Sequence, residues 1–192
     1  LLYQEVNPVP NRREKRDWTN CMAEKTQVTK DIIKYLTEVI EVPSQEFSGF
    51  AVCPFSKPER TRGRLFIGVF DPDEMSFPDC MKQIISQGYS SAALALFQGD
   101  TPVVMSKSET GKFSKFLNGV MKDNGISDYK NICINPNDQV SMGEYNPRSL
   151  SPYFLIVVSR IDDLDKGKKS LTKTKYYDKM PDRYKRFLNV DL

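Results

Sequence analysis

The residues best suited to chemistry lie between Cys53 and Arg64. A thiol at Cys53 is followed by Lys57, Arg60, Arg62 and Arg64. Positive charge near a thiol lowers its pKa and favours the nucleophilic thiolate. The same cations suit a carboxylate or a phosphate. Cys53 is therefore the one candidate catalytic group, and Cys53, Lys57 and Arg64 are candidate ligand-binding residues. The plain alternative makes Cys53 a small buried hydrophobe at a strand entrance, with Pro54 fixing the turn and Phe55 plugging the core. Arg148, in the Pro- and Ser-rich stretch from Asn146 to Tyr153, is the fourth candidate. If the two loops meet at one end of a sheet, Arg148 joins Lys57 and Arg64 around a small anion. Otherwise it ties down loop carbonyls.

Other chemistry is excluded by what the chain lacks. It has no histidine, so Ser-His-Asp and Cys-His nucleophiles, a histidine base and histidine-ligated metal are ruled out. The cysteines at 21, 53, 80 and 133 form no C-x-x-C pair. A zinc ribbon or thioredoxin-type motif is not expected. Gly111-Lys112 follows no phosphate-loop pattern. Asp71 and Asp73, like Asp162, Asp163 and Asp165, read as turn and helix caps rather than a metal loop. No metal and no cofactor is expected.

The strongest charge feature runs from Lys166 to Phe187. It holds Lys166, Lys168, Lys169, Lys173, Lys175, Lys179, Arg183, Lys185 and Arg186 against Asp178 and Asp182, interleaved with Tyr176, Tyr177, Tyr184 and Phe187. Basic residues with aromatics can bind RNA or an acidic protein surface. Alternatively the segment is solvated and its tyrosines pack back on the body. The overall charge of +3 is too small to decide between these readings.

The elements that must position these groups follow from periodicity. Residues 24–42 read as a helix with Val28, Ile32, Leu36 and Val39 on one face, stopped by Pro43. Residues 43–63 are a loop. Strands are expected at 64–70, 91–97, 131–134 and 153–159. Helices are expected at 77–87, with Ser76 and Asp79 at capping spacing, and at 109–124, where Phe113, Phe116, Leu117, Val120 and Met121 form a stripe. Residues 135–150 read as a long polar loop. The charged segment from Ile161 ends in a short amphipathic stretch from Met180 to Leu188. The class is α/β: a single layered domain with helices packed on a small mixed sheet. A Pro-containing N-terminal arm (1–20) precedes the core (21–160), and a basic C-terminal segment (161–192) follows it.

With 192 residues, 39% hydrophobic and 28% charged, the chain has the composition of one domain with a real core and polar arms. No apolar run approaches the ~20 residues of a membrane span. Unpaired, widely spaced cysteines suggest a reducing intracellular compartment. The chain starts at Leu1 without a signal-type segment, and any removed targeting peptide is invisible to the sequence.

Several short motifs carry a resemblance. Cys53-Pro54-Phe55-Ser56-Lys57, then Gly63-Arg64 and a strand, resembles the Cys-Pro-Phe-x-Lys loop and Gly-Arg-led strand of the DUF1415 family of uncharacterised proteins. Asn135-Pro136-Asn137-Asp138-Gln139 is similar to its His-Pro-x-Tyr-x-Phe segment. The stretch from Asn146 to Tyr153 is similar to its Asn-Arg-Ser-Pro-Tyr-Pro segment, and Met180-Pro181-Asp182-Arg183 to its closing Ile-Pro-Glu-Arg. The resemblance implies the same fold and a site between the Cys53 loop and the Asn146 loop. It also implies lost chemistry, because Asn135 replaces a family histidine and the final strand lacks the second.

The expected function is a small anionic-ligand pocket around Cys53, Arg64 and Arg148. The alternatives are a non-catalytic interaction subunit that docks on protein partners in a larger assembly through its terminal arms, and an RNA-binding protein.

Overall fold

The computed structural model describes residues 18–138 and 146–179, with side chains from residue 26 on. The chain is an α/β protein with helices on both faces of a mixed sheet. Helix α1 (Trp18–Tyr35) passes into a π-helical turn (Leu36–Ile40) that keeps Leu36 and Ile40 buried. Short strands β1 (Pro43–Ser44) and β2 (Phe50–Ala51) pair antiparallel. They are followed by α2 (Ser56–Thr61), β3 (Leu65–Phe70), α3 (Phe77–Ser86), β4 (Ser91–Gln98) and β5 (Thr101–Pro102). Then come α4 (Lys107–Asp123), β6 (Tyr129–Ile134), a 3₁₀ turn (Pro147–Leu150), β7 (Leu155–Arg160) and α5 (Ile161–Leu171).

The sheet order is β3-β4-β7-β6, with β5 pairing β4 at its end. Strands β3 and β4 run parallel, as their connection through α3 requires, and β7 runs antiparallel to both β4 and β6. Central β4 is buried over six consecutive residues, Ser91 to Leu96, as a strand covered on both faces must be. Its alternation separates two cores. Ala92, Leu94 and Leu96 face α3 and α4 with Met81, Ile84, Leu117 and Met121. Ala93 and Ala95 face α1 with Val28, Ile32 and Tyr35. Small side chains on that face let α1 lie close.

Local signals fix the helix ends. Ser76 accepts the Asp79 N–H to cap α3, and Ser106 with Glu109 forms a reciprocal capping box on α4. Gly88, at φ +89°, takes the left-handed turn that closes α3.

Three expectations shift. Helix α1 begins at Trp18, earlier than the start expected at residue 24. The loop at 43–63 contains a two-stranded ribbon and a short helix. The last described helix is Ile161–Leu171, inside the charged segment. The arm at 1–17, the segment 139–145 and the amphipathic stretch from Met180 to Leu188 lie outside the described residues.

Candidate functional site

The Cys53 loop follows the ribbon β1–β2 and precedes α2. The Cys53 N–H donates to the Ile40 carbonyl at 3.1 Å, which fastens the loop to the end of the π-helical turn. The residue keeps some solvent exposure, but its sulfur is enclosed, and burial pushes the thiol pKa up. Backbone N–H donors from Phe55 and Ser56 oppose that shift, and the Glu41 carboxylate adds to it. The expected activation by nearby cations fails for a clear reason: each arginine with a described partner is neutralised by a carboxylate.

Arg60 makes a two-point contact with Glu41, Nε to Oε1 at 3.0 Å and Nη2 to Oε2 at 2.7 Å. The Ser56 hydroxyl donates to the same carboxylate at 2.9 Å. The Arg60 hydrogen bond, against the cost of burial, holds Glu41 below the usual carboxylate range. Arg64 pairs with Glu59, whose other oxygen accepts the Ser90 hydroxyl at 2.8 Å. Lys57 is exposed.

Arg148 sits in the 3₁₀ turn Pro147–Leu150 and donates to Asp138 at 3.0 Å. The turn is held to α1 by the Tyr35 hydroxyl, which donates to the Pro147 carbonyl at 2.9 Å. Asp138 is itself tied back to Asn135, at the exit of β6. The Arg64 carbonyl instead accepts the N–H groups of Ser90 and Ser91, at the entrance of β4. Strands β4 and β6 run the same way, because both oppose β7. Arg64 and the Arg148–Asp138 pair therefore occupy opposite ends of the sheet, about 20 Å apart for six residues at about 3.3 Å each. Arg64 and Arg148 are therefore not brought together.

Asn135 is buried, with both ends of its side-chain amide engaged. Its amide donates to the Met105 carbonyl and the Thr110 hydroxyl, each at 2.8 Å, and its oxygen accepts the Asn137 N–H at 2.8 Å. It fastens the β6 exit to the start of α4. Among the described residues no cluster of Cys, Asp and Glu could hold a metal ion. Burial also raises Cys80, and Cys133 to about 11.

Gly167, which no sequence motif singled out, lies where Phe55 leads. The Phe55 ring covers Gly167 of α5: a Cβ built on Gly167 would lie 2.5 Å from Phe55 Cζ. Tyr176 is 4% exposed and donates its hydroxyl to the Val52 carbonyl at 2.6 Å. Phe47, Phe50, Leu171 and Tyr177 complete this third core. The distinctive Cys-Pro-Phe loop is thus the seat on which the basic segment is mounted. A glycine inside an otherwise helical run is the signal for such close backbone approach.

The mounting sorts the side chains of that segment. Leu171, Tyr176 and Tyr177 turn inward, while Lys166, Lys169, Lys173, Lys175 and Lys179 are exposed. None of these lysines forms an ion pair with a described carboxylate. From 166 to 179 there are six lysines and one acid, Asp178. The acids of α5 are Asp162 and Asp163 in its first turn and Asp165, next to Lys166.

No family model matches the chain, and neither does any curated protein or solved structure. The resemblance to DUF1415 rests on its short motifs alone. No helix among the described residues is long and apolar enough to cross a membrane.

Proposed function

We propose that this chain is a non-catalytic interaction module that docks on an anionic surface through the lysine face of residues 166–179. The observation that carries the reading is the sorting of that segment, with aromatics buried against the Cys53 loop and lysines left unneutralised outside. A helix macrodipole accounts for Lys168 and Lys169 in the last turn of α5. That effect fades beyond the last turn, so it gives no reason for Lys173, Lys175 and Lys179. Holding cations on a rigid seat lowers the ordering cost of association. The protonated thiols, the carboxylate-paired arginines and the histidine-free sequence all favour docking over catalysis.

The test uses heparin as a generic polyanion and the full chain. The variant Lys166→Gln/Lys169→Gln/Lys173→Gln should elute from immobilised heparin at clearly lower salt than the wild type. A control, Lys107→Gln/Lys115→Gln/Lys122→Gln on α4, removes as much charge and should elute later than that variant. Equal elution of the two triple variants would reduce the binding to net charge and sink the proposal.

A further inference from the structure

We infer that the partner of the lysine face is the sugar-phosphate backbone of a double-stranded or folded nucleic acid, read without base stacking. This rests on the docking role proposed above. Three observations choose nucleic acid backbone over the other anionic partners.

The face offers no apolar anchor. Protein–protein interfaces place buried aromatics, Met or Arg at their centre and are depleted in lysine. The exposed large hydrophobics of the described chain are Ile33, Val42, Met75, Val104, Phe116 and Leu150, and every one lies outside residues 161–179. Arginine is absent from 161–179. A polar, strongly positive face is the profile of a nucleic-acid interface instead.

Among the described residues of the segment, the aromatics Tyr176 and Tyr177 are withheld from stacking on bases. Single-strand binders present exposed rings on which successive bases lie. Tyr176 packs against Phe47 and Phe50, with centroids at 5.5 Å and 5.8 Å, and Tyr177 packs edge-on against Tyr176 at 4.9 Å. Removing Tyr176 from this seat would also break its bond to the Val52 carbonyl.

What is left is a set of point charges. Lysine neutralises phosphates without a fixed geometry, which gives register-free contact with a regular backbone. Lys166 and Lys169, three residues apart, share one side of α5. Lys173, Lys175 and Lys179 follow in the turns beyond Leu171 and are exposed. Asp162 and Asp165 stand four residues before Lys166 and Lys169 on that side of α5, so the positive charge strengthens toward the C-terminal end of the segment.

The test measures binding of the full chain by fluorescence anisotropy across salt. The probes are two 20-base-pair RNA duplexes of unrelated sequence, single-stranded poly(U) and polyglutamate. The expected result is duplex binding that differs less than about threefold between sequences. The log K against log salt slope should be about −3.6 to −4.5, for about four to five phosphates at about −0.9 each. The Lys166→Gln/Lys169→Gln/Lys173→Gln variant should flatten that slope by about 3. Polyglutamate binding as tight as duplex at equal salt would overturn the nucleic-acid inference and leave the docking reading standing. Tighter binding of poly(U) than of duplex would overturn the backbone reading. Failure of all probes to bind at low salt would sink both.

Discussion

The ring of Phe55 lies so close over Gly167 that a Cβ at that position would sit 2.5 Å from Cζ and 2.7 Å from Cε1. This contact joins two features that are far apart in the chain, the Cys-Pro-Phe loop and the lysine-rich helix α5. It explains why a glycine, which weakens a helix interior by about 1 kcal/mol relative to alanine, stands in α5. Gly167→Ala should therefore destabilise the fold by about 1–3 kcal/mol, the usual cost of overpacking, despite the better helix propensity of alanine. Phe55→Leu should recover part of that loss, so the two changes should be non-additive in a denaturant double-mutant cycle. A Gly167→Ala protein as stable as the wild type would contradict this packing.

The Glu41–Arg60 pair fixes the entry to α2, and its consequences depend on pH. Glu41→Gln should cost about 2 kcal/mol near neutral pH, because a charge-assisted contact is lost and Arg60 is left unpaired. The folded-state pKa of Glu41 lies below its ordinary value of 4.5. Its contribution is therefore complete above about pH 4.5 and is lost as pH falls through the lowered value. Urea melts of wild type and variant should converge below that range. A gap that stays constant into strong acid would contradict the assignment.

The described thiols should be slow. Cys53, Cys80 and Cys133 all have raised pKa values, from burial first of all. Maleimide labelling at pH 7, mapped by mass spectrometry, should modify each more slowly than free cysteine, and unfolding should abolish the protection. Cys133 titrates near 11 in the fold against an ordinary 9.0. Its contribution to stability is complete below about pH 9 and is lost as pH rises toward about 11. Rapid modification of Cys53 in the native state would restore the thiolate reading.

The element order was legible because it is written in local patterns. The stripe from Phe113 to Met121 and the Ser76 cap each sit within one helix. The start of α1 at Trp18 was not, since its apolar stripe begins only at Val28. Sheet order was beyond local reading, and with it the separation of Arg64 from Arg148. Both are arginines beside strand entrances, and only the antiparallel course of β7 places them at opposite ends. The Glu41 and Glu59 partners that neutralise Arg60 and Arg64 are tertiary or turn contacts that charge counting along the chain cannot assign. The lysine row was plain in the sequence. Which way Tyr176 points was not, and its inward direction withholds that ring from stacking on a ligand.

Lysine footprinting tests directly whether the lysine face mounted on the Cys53 loop is the docking surface. The full chain is acetylated with and without saturating 20-base-pair RNA duplex at low salt, and each lysine is quantified by mass spectrometry. The account predicts at least several-fold protection of Lys166, Lys169, Lys173, Lys175 and Lys179, with Lys107, Lys115 and Lys122 of α4 unchanged. Protection spread evenly over all lysines, or centred on α4, would contradict it.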